Sequence, residues 1–213
     1  HPVTLVGISA GVSYGQLGAT HHSIHDIAVL RAINNINIVV PADNFETKEV
    51  IKSAVNFKHP LFIRFGKKPM MKINNGNHNF TIGKGIKLKS GNHLVIISTG
   101  ETVQRAFKAC EILEKNNINP TLISMHSIKP FDEDLFINSI IGSKGVITIE
   151  EHSLSGGLGE KCASIMMQNN INLPFKMLGF PDEYMVNGSQ ADVLDYYNMS
   201  SAKIAEIAKK ILK

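Results

Sequence analysis

Through the first 66 residues, short runs of β-branched and aliphatic side chains alternate with amphipathic stretches. That alternation predicts parallel βαβ units. Strands are expected over 3–9, 36–40 and 61–65, with helices over 23–34 and 44–56 between them. The second helix opens on Asp43 or Asn44, just after Pro41, because a side-chain oxygen there can accept a first-turn N–H that has no helical partner. Together these elements make half of a doubly wound sheet. From Gly66 to Asn79 the chain reads GKKPMMKINNGNHN, with no apolar period. An exposed connection is expected over 67–79, between one domain at 1–66 and another at 80–213.

The same alternation resumes beyond the connection. A hairpin-like pair is expected near 82–88 and 93–98, then a helix over 101–115 whose Val103, Ala106, Phe107, Cys110 and Leu113 form one apolar stripe. Further strands are expected over 120–125, 145–149 and 175–179, with helices over 132–141, 157–169 and 189–196. A last helix over 201–212 starts after Ser200 and spaces Ile204, Ile207, Ala208 and Ile211 on one face. The fold class is α/β, in two three-layer domains, the first with a partial parallel sheet and the second with a mixed one.

Composition narrows the possible partners. With 43% hydrophobic and 19% charged residues, the chain is an ordinary globular protein. The net charge of +4 is scattered along the sequence, which favours phosphorylated small molecules over nucleic acid. The longest apolar runs, such as Leu94 to Ile97, fall far short of the roughly 20 residues needed to cross a bilayer. HPVTLVGIS has neither a basic n-region nor a cleavage site, so it does not read as a secretory signal. Cys110 and Cys162 fall on predicted helices among apolar neighbours and are expected to be buried free thiols, which points to the cytoplasm. The chain starts at His1 and runs almost at once into a strand, as a piece of a longer protein would.

The densest polar cluster follows the first strand, in GVSYGQLGATHHSIHDIAVLR from Gly11 to Arg31. Glycines at 11, 15 and 18 permit backbone conformations closed to other residues. The loop lies at the carboxyl end of a parallel strand, where open α/β sheets place ligands. Thr20, His21 and His22 precede a helix whose free N–H groups favour negative charge. Zinc is a poor fit, since His21, His22, His25 and Asp26 are close neighbours in sequence that do not readily converge on one tetrahedral ion.

GQLGATHHSIHDIAVLRAINNINIVVPAD resembles the pyrimidine-binding domain of transketolases and deoxyxylulose-phosphate synthases, with its Gly-x-x-Gly-x-Thr-His motif, helix, strand and Pro-x-Asp turn. IGKG at 82–85, VIISTGET at 95–102, ISMHSIKPFD at 123–132 and EEHSLSGGLGE at 150–160 are similar to the family's C-terminal domain, in family order. The resemblance covers almost the whole chain. It implies that His21 is catalytic and contacts the sugar substrate, with His22 as a neighbour, and that Arg64 in PLFIRFGK helps hold the sugar phosphate. It also implies that Glu150, Glu151 and His152 are structural or interfacial. His126 reads as a packed core histidine. Leu17 stands where transketolases proper carry an aspartate, and Ala19 replaces their proline, a pattern closer to split or short relatives.

The implied cofactors are thiamine diphosphate and Mg2+ in the complete enzyme. The glutamate that activates the aminopyrimidine, an aromatic that stacks on it and the Gly-Asp-Gly metal signature are absent from this sequence. The isolated chain is therefore expected to be inactive and to hold no cofactor tightly. Its expected partners are a sugar phosphate or related ketose, an N-terminal diphosphate-binding region or subunit, and a second copy in a homodimer, with no nucleic acid and no membrane. Two rival readings are the β subunit of a 2-oxo-acid dehydrogenase and a non-catalytic dimerisation module.

Overall fold

A computed structural model describes residues 1–74 and 78–213. Strand β1 (Thr4–Gly7) leads through a long loop into α1 (Asp26–Ala32), then β2 (Asn37–Val39), α2 (Asn44–Ala54) and β3 (Leu61–Arg64). β3 lies between β1 and β2, parallel to both. Asp43 caps α2 by accepting from the Glu46 N–H at 3.0 Å, as the sequence around Pro41 suggests.

The remainder of the chain adds β4 (Ile86–Lys89), β5 (Val95–Ser98), α3 (Thr102–Glu114), β6 (Thr121–Ser124), β7 (Ser127–Lys129), α4 (Glu133–Ile140), β8 (Val146–Ser153), α5 (Leu158–Gln168), β9 (Phe175–Phe180), α6 (Gln190–Tyr196) and α7 (Ser201–Ile211). Their sheet runs β4-β6-β5-β8-β9, with β4 the antiparallel member. The expected hairpin is overturned: β6 separates β4 from β5. The parallel β5–β6 pair is joined by the α3 crossover, the connection that parallel neighbours require, and β4 takes the free side of β6.

Two further departures matter for the site. β7 leaves this second group of elements and pairs antiparallel with β2, so the first sheet is completed from beyond the connection. β8 continues four residues past the expected end at 149, and Glu150 through Ser153 are all buried. The connection at 67–79 is not uniformly exposed. Ile73 and Asn74 are buried and their N–H groups donate to Asp43 Oδ2 at 3.1 and 2.7 Å, while 75–77 lie outside the described residues.

Core packing follows the stripes. On α3, Val103, Ala106, Cys110 and Leu113 are wholly buried, with Phe107 packed partly against them. On α7, Ile204 and Ala208 face the same cluster. By contrast, β1 is an outer strand: Leu5 and Val6 on it and Val3 just before it are half exposed, and Ile8 just after it is 74% exposed.

Candidate active-site rim

The glycine loop after β1 is closed at its base by a reciprocal pair of backbone bonds. Gly11 N–H donates to Ser23 O at 3.0 Å, and Ser23 N–H donates to Gly11 O at 2.8 Å. Inside it run two 3-10 turns, Gly15–Leu17 and Ala19–His21, separated by Gly18 at φ 77°. His21 ends the second turn and is exposed. Its Nδ1 is 3.0 Å from Thr20 Oγ1, and the Tyr14 ring meets it edge-on with centroids 6.3 Å apart.

Lys67 reaches Tyr14 from the segment just past β3, with its Nζ 3.4 Å from the ring centroid. A cation over an aromatic face is favourable, and Lys67 lowers the pKa of the Tyr14 phenol. Beside the pair opens a cleft of about 230 Å3, lined by Ser13, Gln16, Lys68 and Ser189 among others. Neither Tyr14 nor Lys67 was singled out by sequence reasoning. The available signal was the position of GKK at the carboxyl end of a parallel strand.

His22 is half-buried, and neither ring nitrogen has a hydrogen-bond partner among the described residues. Burial lowers its pKa, so the ring is neutral near pH 7. Arg64 is almost fully buried at 5% exposure. Its Nε donates to Asp26 Oδ2 at 2.7 Å, and its Nη2 donates to Ser23 O at 2.8 Å and Glu151 O at 3.1 Å. It thus joins β3, the base of the loop and β8, and it also lines an open cavity of about 480 Å3 with Ile8, Val29, Leu30 and Phe62.

The buried end of β8 holds the loop from the other side. Glu151 Oε1 accepts the Val12 N–H at 2.8 Å. Gln190 Nε2 donates to Glu151 at 3.0 and 3.1 Å and to Glu101 Oε2 at 2.6 Å, while Glu101 Oε1 accepts the Lys67 N–H at 3.0 Å. Burial, then the charge of Glu101, pushes the Glu151 carboxyl up to about 7. Glu150 accepts the Leu158 and Gly159 N–H groups at 2.7 and 2.8 Å and so closes the start of α5. His152 accepts the Ala28 N–H at 3.2 Å, and burial pushes its pKa down to about 4. His126 is buried and stacked on Phe80 with centroids 4.3 Å apart.

Among the described residues no three His, Cys, Asp or Glu side chains are grouped to hold a metal ion. The glycine loop and the segment after β3 bring an imidazole, a phenol and an ammonium to the rim of a parallel sheet.

Two α/β units in this order are those of transketolase domains. The chain belongs to the transketolase family, as its C-terminal section. Residues 1–72 match the family's pyrimidine binding domain, and residues 83–204 match the transketolase C-terminal domain. The chain is 36% identical over 212 residues to an apulose-4-phosphate transketolase subunit of Phocaeicola vulgatus, covering 99% of this chain and 67% of that protein. It is 36% identical over 206 residues to a putative transketolase C-terminal section of Methanocaldococcus jannaschii, covering 96% and 64%. It therefore spans about two thirds of the length of these relatives. A solved structure described as a split gene transketolase, inactive beta4 tetramer, superposes with a TM-score of 0.84 at 28% identity, covering 99% of this chain and 66% of that one.

Proposed function

We propose that this chain supplies the substrate-facing rim of a thiamine-diphosphate-dependent enzyme that moves a two-carbon ketol unit between sugar or sugar-phosphate substrates. The observation that carries the reading is an exposed imidazole, His21, at the end of a glycine-bent turn, beside the Tyr14–Lys67 pair. Open α/β sheets receive ligands at that rim. The Phocaeicola relative, a transketolase named for a 4-phosphate, supports a phosphorylated substrate.

In this reading His21 hydrogen-bonds the substrate carbonyl or hydroxyl and stabilises charge developing there, with Thr20 fixing the ring. Lys67 offers a point charge to a phosphate. Neutral His22 borders the same turn. Arg64 is assigned to the substrate side with Nη1 as its contact, since its Nε and Nη2 are engaged by the protein.

Thiamine diphosphate and Mg2+ are assigned to an N-terminal diphosphate-binding region or subunit outside this chain, where the cofactor supplies the electron sink for carbon–carbon cleavage. The isolated chain is then inactive and binds the cofactor weakly at most. The beta4 split transketolase, itself described as inactive, supports this. The same reading divides the chain into a partial pyrimidine-binding domain at 1–66, a linker at 67–79 and a C-terminal domain at 80–213. It pairs two copies in a homodimer and places the protein in the cytoplasm, in keeping with the free, buried Cys110 and Cys162.

The test is turnover of ketose phosphates by this chain combined with its diphosphate-binding partner. His21→Ala is expected to lower turnover by orders of magnitude while the fold, read by circular dichroism, is unchanged. Wild-type turnover in the variant would remove His21 from the site.

A further inference from the structure

A second cavity, of about 450 Å3, shares only Lys68 and Gln190 with the cleft beside Tyr14. That volume suits a small molecule. Lys68, Arg105 and Lys108 bring three basic side chains to it from the connection and from α3, against the carboxylates of Glu101 and Asp195.

The acidic pair is already engaged. Glu101 accepts from the Lys67 N–H at 3.0 Å and from Gln190 Nε2 at 2.6 Å. Asp195 holds Arg105 through Nη1, which also donates to Met199 O at 3.3 Å. These two partners fix the guanidinium at the cavity wall, so its planar fork is ordered before any ligand arrives. Lys68 and Lys108 take part in none of the ion pairs among the described residues. With three cations against two carboxylates, the lining carries a net charge of +1.

The remaining wall has two characters. Pro69, Met70 and Leu194 are apolar. Ser200 and Ser201 begin the 11-residue α7, where Ser200 Oγ accepts the Lys203 N–H at 3.3 Å. The Ser201 N–H lies in the first turn, where amides lack helical partners and favour an anion.

We propose that this cavity binds a small phosphorylated organic molecule, separately from the rim that carries His21. Its phosphate sits among Lys68, Arg105 and Lys108, and its organic part lies against Pro69, Met70 and Leu194. A phosphate matches the site better than a carboxylate because it carries more charge and more acceptor oxygens for three converging cations.

Calorimetric titration of the 213-residue chain with phenyl phosphate and with inorganic phosphate tests the assignment. Saturable one-to-one binding is expected, with phenyl phosphate about tenfold tighter than the inorganic ion. Lys108 is exposed, so Lys108→Glu should stay folded by circular dichroism and weaken phenyl phosphate by at least about tenfold. Lys58→Glu should bind as the wild type does, because Lys58 is exposed and lines neither cleft. No saturable binding by the wild type, undiminished binding by Lys108→Glu, or equal loss of binding in Lys58→Glu would each overturn the proposal.

Discussion

Gly11 and Glu151 occupy one space: a Cβ built on Gly11 would stand 2.4 Å from the Glu151 carboxyl carbon. Gly11 also sits at φ 64°, a left-handed conformation that costs other residues roughly 1–2 kcal/mol. Gly11→Ala should therefore destabilise the chain by at least about 2 kcal/mol in urea unfolding. The loss should be smaller in a Glu151→Ala background, where only the backbone strain remains. Equal losses in both backgrounds would contradict the shared-space account.

Glu151 also sets a pH dependence. Its carboxyl rises from 4.5 to about 7 in the fold, so between those values the folded chain keeps a proton that the unfolded chain has released. The group's contribution to stability is complete below pH 4.5 and is lost as pH rises through about 7. Glu151→Gln fixes the uncharged form. Its stability relative to the wild type should rise across that window, by on the order of 2 kcal/mol, in unfolding curves taken at its two ends.

Arg64 braces three elements at once, and Asp26 is its ion-pair partner at 2.7 Å. Arg64→Met should cost about 3 kcal/mol in thermal or urea unfolding, since a mostly buried carboxylate loses its partner. Arg64→Lys should not restore the loss, because one ammonium cannot serve the three acceptors that Nε and Nη2 reach.

At the rim, Lys67→Ala in the assembled enzyme should raise KM for a phosphorylated ketose about tenfold, the scale of one lost charged contact. KM for the same ketose without phosphate should be unaltered. Steady-state kinetics on the two substrates separates a phosphate contact from general damage to the cleft.

The outer strand β1 carries half-exposed Leu5 and Val6 and is flanked by half-exposed Val3 and a more exposed Ile8. Unpaired apolar edges associate. The isolated chain should self-associate with rising concentration in sedimentation velocity runs, and Leu5→Lys should suppress this.

The elements with strong periodicity were legible. The α3 stripe and the capped α7 read directly from spacing, because one face of each is apolar and the other is not. β7 was missed because three residues, Ser127, Ile128 and Lys129, carry no alternation; its pairing partner β2 is distant in sequence. The end of β8 was missed because the polar Glu150, Glu151 and His152 end the apolar run that marks a buried strand. Each is buried only because a remote group meets it: the α5 amides, the Val12 N–H and the Ala28 N–H. In the candidate site, the histidines of the glycine loop could be read from their local context, whereas the Tyr14–Lys67 pair needed β3 placed beside β1.

The glycine-rich turn before α5 has the composition of a phosphate cradle, yet it is already filled from within. Glu150 lies against Gly157, where a Cβ would stand 2.0 Å from its Oε2, and takes the amides that an incoming anion would need. The chain thus carries a resident counter-ion for this helix end, and the turn is closed to phosphorylated ligands for as long as that carboxylate stays.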